Sequence, residues 1–177
     1  LQNNLDAVID VLEFNGGADD DVLLNLGEIT EQLAFGGDDG LDTLVNDGIV
    51  DTLVFGGGAD DDILVNRGTV EGLLEFGGDD DILVSATGAV TLEDIVFSGD
   101  EKEDILVNFG EVTDLVFHGG ADDDILLNLG EVDTLTFGGD DGADVLQNEG
   151  DFIASLIFTG GADDDVLINN GSEIDSL

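Results

Sequence analysis

Residues 104–124 read DILVNFGEVTDLVFHGGADDD, and Asp124 opens the same phrase again as DILLNLGEV. Two short segments, DILVN and VTDLVF, are rich in β-branched residues and bounded by Gly, Asp and Asn, as strands are. Neither is long enough for a helix once the glycines have cut it. The phrase recurs along the whole chain. Phe14, Phe35, Phe55, Phe76, Phe97, Phe117, Phe137 and Phe158 follow one another at gaps of 20 or 21 residues. A fixed period of this length marks a solenoid or an array. With two strands per unit it predicts an all-β fold, a parallel β-solenoid of β-helix or β-roll type with about eight to nine coils of 20–21 residues. The expected organisation is one solenoid over 1–177, with units near 1–14, 15–35, 36–55, 56–76, 77–97, 98–117, 118–137, 138–158 and 159–177. Stacked at about 4.8 Å per strand, these coils would form a rod about 40 Å long. Proline is absent, which suits strands paired on both edges.

Composition limits the partners. There are 44 acidic residues against Arg67 and Lys102, a formal charge of −42. Such a charge alone would point to disorder, but 42% of the residues are hydrophobic and can build a core. No basic surface exists to neutralise phosphates, so nucleic acid is excluded as a partner, and anionic membranes and acidic polysaccharides would be repelled. Cations and positively charged surfaces remain. There is no cysteine, no apolar run of membrane-spanning length and no signal-peptide pattern at the N-terminus. An enzyme is not expected. A β-helical polysaccharide lyase needs basic residues in a cleft, whereas Arg67 and Lys102 belong to different coils. His118, the single histidine, stands beside a glycine corner with no nucleophile and reads as a loop residue.

Alternation along a strand assigns the faces. Leu23, Leu44, Leu64, Leu83, Leu106, Leu126, Leu146 and Leu167 form one invariant inward column. Pairs such as Leu33/Phe35, Leu53/Phe55 and Leu115/Phe117 would line the opposite wall. Two residues after each core leucine stands Asn25, Asn46, Asn66, Asn108, Asn128, Asn148 or Asn169, with Ser85 the one exception. Stacked asparagines can pass amide hydrogen bonds from coil to coil, and Asn-x-Gly suits a tight turn. The neighbours of each core leucine, such as Val22/Leu24, Ile63/Val65 and Ile105/Val107, point outward, and fourteen of these sixteen residues are apolar. A stripe this large predicts a covering partner: a second copy packed laterally, or another part of a larger protein. No capping helix or polar terminal unit is seen, so the chain is expected to be either a slice of a longer repeat protein or a subunit that stacks end to end.

Two residues before each core leucine an aspartate is kept in all eight units: Asp21, Asp42, Asp62, Asp81, Asp104, Asp124, Asp144 and Asp165. It survives changes in corner length and the loss of the triple aspartate in SGDEKEDIL. Stacked carboxylates about 5 Å apart repel by about 1 kcal/mol in water and more where water is restricted. An ordered rod then requires protonation or a bridging divalent cation. Carboxylate and carbonyl oxygens on glycine loops suit Ca²⁺ better than Mg²⁺. The competing reading is a solvated acidic edge.

The corners resemble the RTX nonapeptide G-G-x-G-x-D-x-L-x, whose turns bind Ca²⁺ in a parallel β-roll. Gly37-Asp38-Asp39-Gly40-Leu41-Asp42-Thr43-Leu44 and Gly139-Asp140-Asp141-Gly142-Ala143-Asp144-Val145-Leu146 match best. Gly16-Gly17-Ala18-Asp19-Asp20-Asp21-Val22-Leu23 has aspartate in place of the later glycine. The resemblance covers every unit but only half of each, because the other corner is Asn-x-Gly. That alternation looks more like the repeat regions of secreted bacterial adhesins. The resemblance implies several calcium ions, with the eight column aspartates as ligands, loop carbonyls completing the sphere, and Asp19, Asp39, Asp60, Asp79, Asp122, Asp141 and Asp163 as secondary ligands. It implies an extracellular or cell-surface bacterial protein. One expectation is a calcium-dependent fibre, matrix filament or adhesin segment that assembles with itself; the other is a calcium-triggered folding and secretion module of an exported enzyme or toxin.

Overall fold

The computed structural model describes residues 1–78, 81–85, 92–171 and 173–177. The chain winds as a parallel β-solenoid of about eight turns, and no helix occurs among the described residues. Each coil contributes a short strand to one sheet and a long strand to the other. The short strands, such as Thr43–Asn46, Ile63–Asn66 and Ile105–Asn108, form a nine-stranded sheet in sequence order. The long strands, such as Glu28–Asp39, Ile49–Ala59 and Val112–Ala121, form a ten-stranded sheet.

The sequence period becomes register. Leu23, Leu44, Leu64, Leu83, Leu106, Leu126, Leu146 and Leu167 pair in line, without a bulge, along the whole short-strand sheet. The first seven are fully buried. Across from them Leu33, Leu53, Leu115 and Leu135 are buried in the long-strand sheet together with the phenylalanines. The phenylalanine rings lie 4.8 to 5.4 Å apart from coil to coil. Ile29, Val50, Val70, Val112, Val132 and Ile153 fill the third corner of this dry core. Burying a ladder of large side chains is what holds the coils, since each contacts only its neighbours.

One expectation needs correction. The second strand is not the six-residue V-x-x-L-x-F segment. It runs on through the glycines into the acidic corner, so that Gly36 pairs with Gly56 and Asp38 with Gly58. Gly and Asp are poor strand formers alone. Here the neighbouring coil supplies the hydrogen-bonding edge that makes them extended.

The asparagine ladder forms as expected. Asn25 Nδ2 donates to Asn46 Oδ1 at 2.8 Å, and Asn46 to Asn66 at 2.9 Å. Asn108, Asn128, Asn148 and Asn169 continue it. The Oδ1 of Asn46 also accepts the Gly48 N–H, which closes the turn. Ser85 breaks the ladder: it pairs in register with Asn66 and Asn108, but its Oγ and the Asn66 Nδ2 are buried without partners. The same coil breaks the ring stack, where Phe76 and Phe97 meet edge-on at 75°. Ser85→Asn should therefore restore two hydrogen bonds and raise stability by about 1–2 kcal/mol in a denaturant titration. A destabilised variant would show that this coil cannot accept the longer side chain.

Candidate metal-binding edge

Five of the acidic corners share one backbone despite two spellings. In the corner ending at Asp62 the left-handed residues are Gly58 (φ 109°) and Asp60 (φ 78°). At Asp124 they are Gly120 (109°) and Asp122 (69°), and at Asp165 Gly161 (106°) and Asp163 (76°). In the corner ending at Asp42 the order is reversed, Asp38 (81°) then Gly40 (111°), and likewise Asp140 (72°) then Gly142 (138°) before Asp144. Glycine enters this region freely, and aspartate is among the few other residues that tolerate it. GGADDD and GGDDGxD are thus the same bend with Gly and Asp exchanged, which accounts for the partial match to the nonapeptide.

The column aspartates end the bend on its inner side. Asp42, Asp62, Asp81, Asp104, Asp124 and Asp144 are fully buried, whereas Asp21 and Asp165 are half-buried. A solvated edge therefore does not describe the column. Each carboxylate instead accepts the backbone N–H of the aspartate one coil earlier. The Asp21 N–H donates to Asp42 Oδ1 at 2.7 Å, Asp42 to Asp62 at 2.7 Å, and Asp62 to Asp81 at 3.2 Å. Asp81, Asp104, Asp124 and Asp144 carry the chain on to Asp165. Seven successive steps make a continuous ladder, and they give the invariance of this residue a structural cause.

Only half of each carboxylate is accounted for in this way. The Oδ2 atoms of Asp42, Asp62, Asp124 and Asp144 are buried and accept no hydrogen bond. Each is pressed over the glycine five residues earlier: Asp42 over Gly37, Asp62 over Gly57, Asp124 over Gly119 and Asp144 over Gly139. A Cβ on Gly37 would also overlap the Gly57 carbonyl oxygen, and one on Gly139 would crowd that of Gly160, so only glycine fits beneath the carboxylate. A charged oxygen buried without a donor is costly unless it takes up a proton or a cation. Burial, and then the neighbouring carboxylates, push the Asp62 carboxyl up to about 6 and that of Asp124 up to about 7. Asp42 and Asp144 are raised for the same reasons, and in all four the backbone N–H pulls the other way.

The secondary positions lie outside this ladder. Asp19, Asp39, Asp60, Asp122, Asp141 and Asp163 are exposed on the rim of the corner, and Asp79 falls outside the described residues. Asp20 and Asp123, which the sequence reading passed over, have a definite role. Their Oδ1 atoms accept the backbone N–H of Leu41 and Ala143 one coil later, at 3.1 and 2.8 Å. The signal was the middle aspartate of the GGADDD corner, which neither the bend nor the column needs. Lys102 borders an open pocket with Asp61, Glu103, Asp122 and Asp123. Arg67 makes a two-pronged pair with Asp47 at 2.6 and 2.9 Å, on the Asn-x-Gly side of the rod.

Among the described residues no three His, Cys, Asp or Glu side chains close on one point as a metal cage would. The carboxylates are distributed as a ladder. The donors are hard oxygens of the kind Ca²⁺ takes, and any sphere here must be completed by backbone carbonyls such as those of Gly57 and Gly160. Compared with known protein families, curated proteins and solved structures, the chain matches none. What fold and site define is a parallel β-solenoid with a buried ladder of aspartates along one corner.

Proposed function

We propose that this chain is a calcium-dependent structural solenoid, part of an extracellular fibre, matrix filament or adhesin, with Ca²⁺ held along the acidic corners and no catalytic role. The observation that carries this reading is the set of buried Oδ2 atoms of Asp42, Asp62, Asp124 and Asp144, which have no hydrogen-bond donor. At neutral pH a divalent cation between coils would satisfy each charged oxygen together with a glycine carbonyl of the next coil. The exposed Asp19, Asp60, Asp122 and Asp163 would draw the ion in and hold it loosely at the rim.

Circular dichroism and light scattering during a Ca²⁺ titration against chelator test this. At neutral pH and low salt the chelated protein should lose its β signal and any assembly, and both should return as Ca²⁺ is added. Mg²⁺ at the same concentration should do less. A spectrum indifferent to chelator and calcium would remove the metal from the account. The half-match of each corner to the RTX nonapeptide supports a second reading, a calcium-triggered folding and secretion module of an exported enzyme or toxin. Negative-stain microscopy in calcium separates the two, filaments favouring the first and compact single particles the second.

A further inference from the structure

The outer face of the short-strand sheet carries no charge. The sixteen outward residues of its eight four-residue strands are Thr43, Gln147 and fourteen aliphatic side chains, and Gln2 of the short first strand lies in register with them. Val22, Ile82, Ile125 and Val166 are 54%, 37%, 40% and 43% exposed, and the rest of the sixteen are half-buried by one another. The sheet is in register throughout with no bulge to interrupt it. Nine strands, mostly of four residues, make a ribbon about 43 Å by 13 Å.

The two edges of this ribbon differ in charge. Along one run the acidic corners, with Asp20, Asp61, Asp123 and Asp164 exposed beside the ladder. Along the other, the residues after the asparagines are Leu26, Asp47, Arg67, Phe109, Leu129, Glu149 and Asn170, which sum to nearly neutral. We propose that this face pairs with the same face of a second copy, the two rods running in the same direction about a two-fold axis parallel to them.

Area and charge both select this arrangement. A full face-to-face pair removes about 1,100 Å² from water, above the roughly 1,000 Å² that a specific interface needs. A two-fold axis along the rods sets each acidic edge over the partner's near-neutral edge. A two-fold axis across the rods makes them antiparallel and sets acid over acid along the whole length, which repulsion forbids. Two-fold pairing also closes on itself, so it buries the stripe without leaving a further sticky face. The pairing uses the sheet face and not the acidic corners, so it stands apart from the calcium reading.

The test uses the full chain in calcium, with circular dichroism confirming that each variant is folded. Sedimentation equilibrium should give a dimer, and the Val65→Thr/Val107→Thr/Leu127→Thr variant, which places strand-favouring β-branched threonine at all three positions, should weaken it at least tenfold. The chain has no cysteine of its own, so disulfide trapping reports the orientation. In the parallel pair Val22 of one copy faces Leu24 of the other, so Val22→Cys/Leu24→Cys should cross-link with itself. A monomer at high concentration overturns the proposal. So does a cross-link formed only with a Val166→Cys/Ile168→Cys copy, which is the antiparallel pair, or a dimer that the threonine variant leaves unchanged. Retention of a basic protein on the face in place of a second copy also overturns it.

Discussion

Metal-free protein moved from pH 8 to pH 4 is expected to become more stable, against the usual behaviour of a protein rich in ionised aspartates. The folded-state carboxyls of Asp62 and Asp124 lie at about 6 and about 7, above the value near 3.8 of a free aspartate. Between those limits the folded chain binds more protons than the unfolded one, so folding strengthens as protons are added. The contribution is fully present below about pH 4 and is lost as the pH rises through 6 and 7. Raising a carboxyl by one pH unit is worth about 1.4 kcal/mol, so the two groups together forfeit on the order of 7 kcal/mol by pH 8. Asp42 and Asp144 shift in the same direction and add to it.

General charge relief would also favour acid, and a single substitution separates the two causes. In Asp124→Asn the amide oxygen still accepts the Asp104 N–H, and the amide NH₂ donates where the carboxyl proton would. The chelated variant at pH 8 should be more stable than the parent by about 2–4 kcal/mol, with a flatter pH profile. Asp122→Asn on the exposed rim should change stability by no more than about 0.5 kcal/mol. In calcium the sign for Asp124→Asn should reverse, because a ligand is lost. Chemical denaturation at several pH values, in salt high enough to screen the acidic corners and keep the chelated parent folded, reads all of these, and a chelated Asp124→Asn that is weaker than the parent at pH 8 would falsify the ladder as described.

The second large effect falls on two adjacent glycines. Gly57 lies under the Asp62 carboxylate, and a Cβ there would meet the Asp62 Cγ and Cβ at 2.8 Å and overlap Oδ2. Gly56 has nothing within 4 Å of the same position. Gly57 does not need a left-handed backbone, so the penalty for alanine is purely one of space. Gly57→Ala should cost at least about 3 kcal/mol, from overpacking and from the displaced hydrogen bond to the Asp42 N–H. Gly56→Ala should be neutral or slightly stabilising, since alanine restricts the unfolded chain. In a double-mutant cycle, Gly57→Ala with Asp62→Ala should cost less than the sum of the two single changes, because removing the carboxylate makes room for the methyl. Additivity, or equal penalties at Gly56 and Gly57, would mean that the carboxylate does not rest on Gly57.

Much of this fold was legible because one period governs it. The 20–21 residue spacing of phenylalanine fixed the coil, and alternation fixed Leu44 and Phe55 as inward. The same alternation puts Asp42, Leu44 and Asn46 on one face. The sequence reading used that rule for the leucine and asparagine but took the aspartate as a metal ligand of the corner, with a solvated edge as the competing reading, and did not place it in the core. Burial of Asp42 is possible because the Asp21 N–H needs an acceptor at that level, a requirement set by stacking between coils. The extended corner was hidden for a similar reason: Gly36 and Asp38 become strand only because Gly56 and Gly58 lie beside them. Local propensity carries no record of a neighbour twenty residues away.

The two spellings of the acidic bend, Gly then Asp or Asp then Gly, bear on how such a chain can grow. Because either version holds the same bend and ends in the same ladder aspartate, units are nearly interchangeable bricks, differing in the acceptor that Asp20 and Asp123 supply and Leu41 and Ala143 do not. Duplication, deletion or shuffling of whole units would lengthen or shorten the rod in steps of a single storey, with no new joint to be invented at the seam.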